Sequence, residues 1–159
     1  MTKRILAIDP GNIESAYVLM DAETYKPIEF GKVENHILLD LIYDYVYEDF
    51  VIEMIQSYGM GVGKSVFDTC VWIGRFVQEA FRFTENINYI YRAEEKMNLC
   101  HSMKAKDSNI RQALIDRFGE VGVKARPGFF YGFKKDIWAA FAVGVTYLDK
   151  QKREIENVK

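Results

Sequence analysis

Arg4-Ile5-Leu6-Ala7-Ile8-Asp9-Pro10-Gly11 is a short apolar run that ends in an acid and then in two residues that stop a strand. Pro10 has no N–H to give to a ladder and Gly11 permits a turn, so the run reads as a buried strand with Asp9 at its carboxyl end. A carboxylate beside buried backbone is costly to desolvate unless something neutralises it. Asp9 therefore has two readings: it starts the turn, or it faces a divalent cation.

Downstream, Ser15-Ala16-Tyr17-Val18-Leu19-Met20-Asp21 and Pro27-Ile28-Glu29-Phe30-Gly31-Lys32-Val33 read as further strands, and their short connections favour an antiparallel meander. Ile37, Leu38, Leu41, Ile42 and Tyr45 recur at helical spacing after Asn35, which reads as the cap. The helix returns the chain to a second apolar strand, Asp49-Phe50-Val51-Ile52-Glu53, which again ends in an acid. Ile87-Asn88-Tyr89-Ile90-Tyr91 alternates as another strand. Strands mixed with helices make this an α/β chain.

Gly59-Met60-Gly61-Val62-Gly63-Lys64-Ser65 approaches a phosphate-cradling loop, but Tyr58 stands where that loop needs its first glycine, which excludes an ATP site of this kind. The loop reads as a lid, as a close approach to a phosphate backbone, or as a mobile connection. Ser65 with Asp68 suits a capping box, and a helix through Val71, Trp72, Phe76 and Ala80 follows. From Arg92 to Ser102 the signal is weak, with Lys96 and Leu99 compatible with a short helix. Asp107-Ser108-Asn109 then caps a helix to Phe118, closed by Gly119, with Ile110, Leu114, Ile115 and Phe118 on its core face. Lys104, Lys106 and Arg111 flank its start, where free N–H groups and the helix dipole already favour an anion.

Phe129, Phe130, Tyr131 and Phe133 read as core or interface rings rather than platforms for unpaired bases. A last helix is expected from about Lys134 to Lys152, with Ile137, Ala140, Phe141, Gly144, Val145 and Leu148 as its buried stripe and Asp136 in its first turn. An acid there complements the helix dipole, whatever else it does.

The 159 residues suffice for one domain, 1–159, with a sizeable core, and the 49% hydrophobic and 28% charged content is that of a globular chain. No apolar run nears the roughly 18 residues of a membrane span, and Cys70 and Cys100 have neither metal spacing nor disulfide density. No membrane is expected and a reducing cytoplasm is. The net charge of -2 hides an asymmetry: residues 1–90 carry 7 basic and 14 acidic side chains, residues 91–159 carry 14 and 9. A late basic face could meet a polyanion, although solvated helix faces would leave the same count.

Asp9, Glu53 and Asp136 thus come from two strand ends and one helix start. Clustered carboxylates repel, so an ionised cluster is stable only around a cation, and oxygen-only ligation selects Mg²⁺ or Mn²⁺ over zinc. His36 and His101 lack the neighbours of a nucleophilic triad.

These segments resemble the RuvC-like Holliday junction resolvases of the ribonuclease H-like superfamily, in particular their short bacteriophage branch. Leu6-Ala7-Ile8-Asp9-Pro10-Gly11 is similar to the first motif and Phe50-Val51-Ile52-Glu53 to the second. Gly63 to Thr69 with Trp72 to Phe76, and Lys104 to Leu114, are similar to phage-branch signatures, and Ile137 to Val143 resembles the last helix. The resemblance implies a ribonuclease H-like three-layer fold with a mixed five-stranded sheet flanked by helices. It also implies a homodimer, four-way-junction DNA as partner, Mg²⁺-dependent hydrolysis with Mn²⁺ as an alternative ion, and the cytoplasm of a bacterial host. Asp9, Glu53 and Asp136 match the family's metal-binding acids. Lys64, Lys104, Lys106, Arg111, Lys134 and Lys135 are the expected DNA-binding cations. One departure is Ala139, where cellular members carry a further acid; Asp107 is the candidate for a borrowed ligand. Two other functions stay open: a branched-DNA-binding protein with weak or no catalysis, and another ribonuclease H-like nuclease.

Overall fold

The opening strand, β1 (Arg4–Asp9), is the centre of a five-stranded sheet in the computed structural model, which describes residues 2–158. It pairs antiparallel with β2 (Glu14–Asp21), which carries β3 (Pro27–Glu34) antiparallel at one edge. On its other side it pairs parallel with β4 (Asp49–Met54), which carries β5 (Ile87–Tyr91), also parallel. The order β3-β2-β1-β4-β5 is the expected mixed sheet, meander included.

Alternation along β1 sorts its side chains between two cores. Leu6 and Ile8 pack with Phe50 and Ile52 against α1 (Asn35–Asp44) and α2 (Lys64–Ala80). Ile5, Ala7 and Val51 pack on the opposite face against α4 (Asp107–Phe118) and α5 (Ile137–Val158), with α3 (Arg92–Cys100) lodged beside both. Helices thus cover both faces of the sheet. From Ala140 to Leu148 α5 is buried all round, and a Cβ on Gly144 would stand 2.4 Å from Met20 Sδ and 3.2 Å from Ala7 Cβ, which is how closely helix and sheet approach. Among the described residues no helix is long and apolar enough to cross a membrane.

The aromatic run is core: Phe130 and Phe133 are buried against Trp138 and Phe141, while Tyr131 alone of the four is exposed. Four helix starts differ from the expected ones, α4 among them: it begins at Asp107 itself, and of the three expected capping residues Asn109 serves, its Oδ1 accepting the Lys106 N–H at 2.9 Å. Asn35 does not cap α1, because its side chain is drawn inward to accept from Ser15 Oγ at 2.7 Å and donate to Gly11 O at 3.0 Å. α2 begins one residue before Ser65, with extended Gly63 as its cap, so Asp68 pairs with Lys64 instead of closing a capping box. α5 begins at Ile137, three residues later than expected, and runs past Lys152 to Val158. Asp136 sits just ahead of it, its carbonyl accepting the Ala140 N–H at 3.0 Å.

A candidate acidic centre at the carboxyl edge of the sheet

Ile8 is paired with Ile52 in the parallel ladder, so Asp9 and Glu53 are the next residues out on adjacent strands. Side-chain parity sends both to the α5 face, in step with Ala7 and Val51. The turn behind Asp9 is fixed by a buried polar triangle: Gly11 N–H donates to Ser15 Oγ at 3.0 Å, Ser15 to Asn35, and Asn35 back to Gly11 O. Gly11 admits no side chain, since a Cβ there would fall 2.2 Å from Glu14 O. Asp9 is therefore held by a rigid turn, and its carboxyl is not used to cap it.

One strand further, β5 ends at Tyr91 and α3 starts at once, with the Tyr91 N–H donating to Glu94 Oε2 at 2.9 Å. The first turn of α3 buries Glu95 completely. Glu53 lies within hydrogen-bonding reach of both Asp9 and Glu95, so the three carboxyls form a chain of contacts. Burial pushes the Asp9 carboxyl up to about 8, helped by the neighbouring charge of Glu53 and, more weakly, that of Asp136, against an opposing pull from Arg92. Burial likewise raises Glu53 to about 8, with Glu95 adding to it. Glu95 is raised to about 7 by burial, restrained by its contact with Glu53 and by Arg92.

Among the described residues Arg92 is the cation that pairs directly with the centre, and Lys32 reaches Asp9 only through its charge: Arg92 Nη1 donates to Glu95 Oε1 at 3.2 Å and Nη2 pairs with Asp107. Glu95 Oε2 meets no donor among the described residues. Oxygen donors only, an excess of negative charge and an orphaned buried oxygen suit a hard divalent cation. The side chains do not form a ready cage, for no three His, Cys, Asp or Glu among the described residues surround a common point.

Of the acids read from the sequence, Asp9 and Glu53 meet. Asp136 is close enough for its charge to be felt at Asp9, but its half-exposed carboxylate accepts from Lys32 Nζ at 2.7 Å. Lys135 before it has φ 43°, a left-handed backbone that costs a non-glycine residue about 1–2 kcal/mol. Asp107 opens α4 and points its exposed carboxylate at Arg92. Glu95 escaped the sequence reading, because the signal from Arg92 to Ser102 is weak, compatible with a short helix at Lys96 and Leu99, and nothing local sets Glu95 apart from the charges around it.

Lys104, Lys106, Arg111, Lys134 and Lys135 are exposed. Arg111 and Lys135 line, with Asp136 and the first residues of α4, an open hollow of about 560 Å³, and the Arg111 guanidinium lies 4.9 Å from the Trp138 ring centre. Lys64 differs: it opens α2, on the layer across the sheet, and its ammonium is 2.6 Å from Asp68.

No protein-family model and no curated protein matches the chain. Among solved structures it is similar to T. thermophilus RuvC in complex with a Holliday junction substrate, with a TM-score of 0.73, 12% identity and 96% of each chain covered. A second structure of Thermus thermophilus RuvC gives 0.69 and 13%, covering 94% of this chain and 96% of the other. The fold is that of RuvC, the ribonuclease H-like architecture with a mixed five-stranded sheet and flanking helices.

Proposed function

We propose that this chain, as a single nuclease domain, is a RuvC-like structure-selective endonuclease. It binds branched DNA, chiefly four-way junctions, and cuts it by divalent-cation-dependent phosphodiester hydrolysis. The observation that carries this reading is the meeting of Asp9 and Glu53 at the carboxyl edge of the parallel strands, in a fold it shares with a RuvC bound to a Holliday junction. The late basic residues support it, and so does the order of the phage-type motifs.

Asp9 and Glu53, with Asp136 at the rim, would hold Mg²⁺ or Mn²⁺. When bound, such a cation lowers the pKa of a coordinated water and offsets charge on the leaving oxygen. The fixed turn behind Asp9 keeps its carboxylate from wandering, and β1 and β4 hold the first two acids on neighbouring rungs. Lys104, Lys106, Arg111, Lys134 and Lys135 grip backbone phosphates without reading bases. Lys64, at the start of α2 just after the Gly-rich loop, serves a second stretch of backbone. Two copies of the chain would present two such centres to one junction.

A second reading has its own observation. Asp136 is engaged by Lys32 and position 139 carries no acid, which suits a branched-DNA-binding protein with weak or no catalysis. Incubating the protein with a four-way junction, a linear duplex and an RNA–DNA hybrid in Mg²⁺ or Mn²⁺ separates these readings. Cutting of the junction in preference to the other two is expected; band shift without any nick would favour the pure binder. Preferred cutting of the hybrid would mark another ribonuclease H-like nuclease.

A further inference from the structure

We propose that Glu95 is the third carboxylate of the acidic centre and that its Oε2 oxygen is a ligand to the divalent cation, while Arg92 holds Oε1. The inference rests on the reading of Asp9 and Glu53 as cation-binding residues.

Glu95 is wholly buried, and its Oε2 has no donor among the described residues. An isolated buried carboxylate oxygen is expensive, so something of opposite charge or a proton belongs beside it. Asp49, another buried acid with an unpartnered oxygen, shows what a structural solution looks like. Its other oxygen has Lys3 Nζ at 2.9 Å and accepts from Tyr147 Oη at 2.6 Å. Glu95 has Arg92, which is shared with Asp107, and beyond it only the neighbouring carboxyl of Glu53, itself an acid. One guanidinium does not balance Asp9, Glu53 and Glu95 together, and a divalent cation would.

The backbone delivers Glu95 to this place for the same reason that it delivers the other two. β1, β4 and β5 run parallel and end at one edge of the sheet. Asp9 closes β1, Glu53 is the penultimate residue of β4, and α3 turns off the end of β5 and brings Glu95 in from its first turn. The contacts now run in a line from Asp9 through Glu53 to Glu95. A cation entering that line replaces the carboxyl–carboxyl contacts with carboxyl–cation ones, and Arg92 keeps Glu95 from swinging away.

Mn²⁺ binding to purified protein, read by calorimetry and by electron paramagnetic resonance, tests this. Glu95→Gln keeps the shape and removes the charge; it is expected to weaken Mn²⁺ binding by ~10- to 100-fold. Glu94→Gln, one residue earlier and paired outward with Lys150, should leave it unchanged. Wild-type affinity in Glu95→Gln would overturn the proposal. As a measurement free of any folding defect, carboxyl ¹³C resonances of the wild-type protein are followed as Mg²⁺ is added. Glu95 Cδ should shift together with Asp9 Cγ and Glu53 Cδ. If the latter two move and Glu95 stays, the proposal fails and the nuclease reading stands. If none moves and no Mn²⁺ binds, both fail.

Discussion

Lys32 Nζ lies 2.7 Å from Asp136 Oδ2, tying the edge strand β3 to the turn before α5 across more than a hundred residues of chain. The contact holds Asp136 at the rim of the acidic centre and out of contact with Asp9. Both groups are partly exposed, so the pair contributes only about 0–1 kcal/mol to stability. Lys32→Met should therefore barely change the melting temperature, yet free Asp136 to turn toward Asp9. Mn²⁺ affinity and the junction-cleavage rate are both expected to rise. Unchanged Mn²⁺ affinity with slower cleavage would mean instead that Lys32 itself grips the DNA.

Asp9→Asn should leave junction binding near the wild-type level and abolish cleavage, because the cations proposed to grip phosphates are untouched while the central acid is gone. The same substitution removes a buried carboxyl that resists ionisation. In the absence of metal it should raise the melting temperature near about pH 9, where wild-type Asp9 must bear its charge, and have little effect near about pH 5, where Asp9 is already neutral. Melting curves at the two pH values check this. Undiminished cleavage by the variant would remove Asp9 from the centre.

The pH dependence of stability has a definite sign. Asp9 and Glu53 are both raised to about 8 in the folded protein, above the ordinary carboxylate range. The folded state thus holds protons that the unfolded chain has released. Their contribution is complete below the unfolded pKa of about 4 and is lost as pH rises toward about 8. Metal-free protein should accordingly lose stability across that window. Mg²⁺ should restore more of it on the alkaline side, with protons released on binding. Denaturant titrations with and without Mg²⁺ would show the crossing; equal effects of Mg²⁺ at both ends would contradict it.

Replacing Lys104, Lys106 and Arg111 with Gln should weaken binding to junctions of every sequence alike. Each cation–phosphate pair removed should make the slope of log K against log salt shallower by about 0.9. A slope unchanged from wild type would take these residues out of the interface. Arg111 also lies over Trp138, so Arg111→Gln alone should give a small drop in stability that the lysine replacements do not.

That Asp9 and Glu53 meet was legible because an apolar run ending in an acid is unusual, and two such runs with the same parity place their acids on the same face of neighbouring strands. The aromatic run and the face of α5 were legible for a similar reason: period and residue type report burial directly. The helix starts were less so. Asn35 has the chemistry of a cap but serves a buried triangle with Gly11 and Ser15, and the competition between the two uses is settled by a segment twenty residues away.

The α/β alternation, the five strands, the core faces and two acids at strand ends are all consequences of local period and hydrophobic burial, and the chain carries them in its residue order alone. Which other acids join those two depends on long-range packing. Glu95 lies in a polar stretch that a local reading leaves in solvent, and it is buried because β5 ends beside β4 and turns into α3 there. Asp136 carries the right charge near the right helix, yet Lys32 of a distant strand holds it at the rim. Charge and hydropathy are properties of a residue, but the desolvation and pairing of a carboxylate are properties of its neighbours, and those are assembled only when the chain folds.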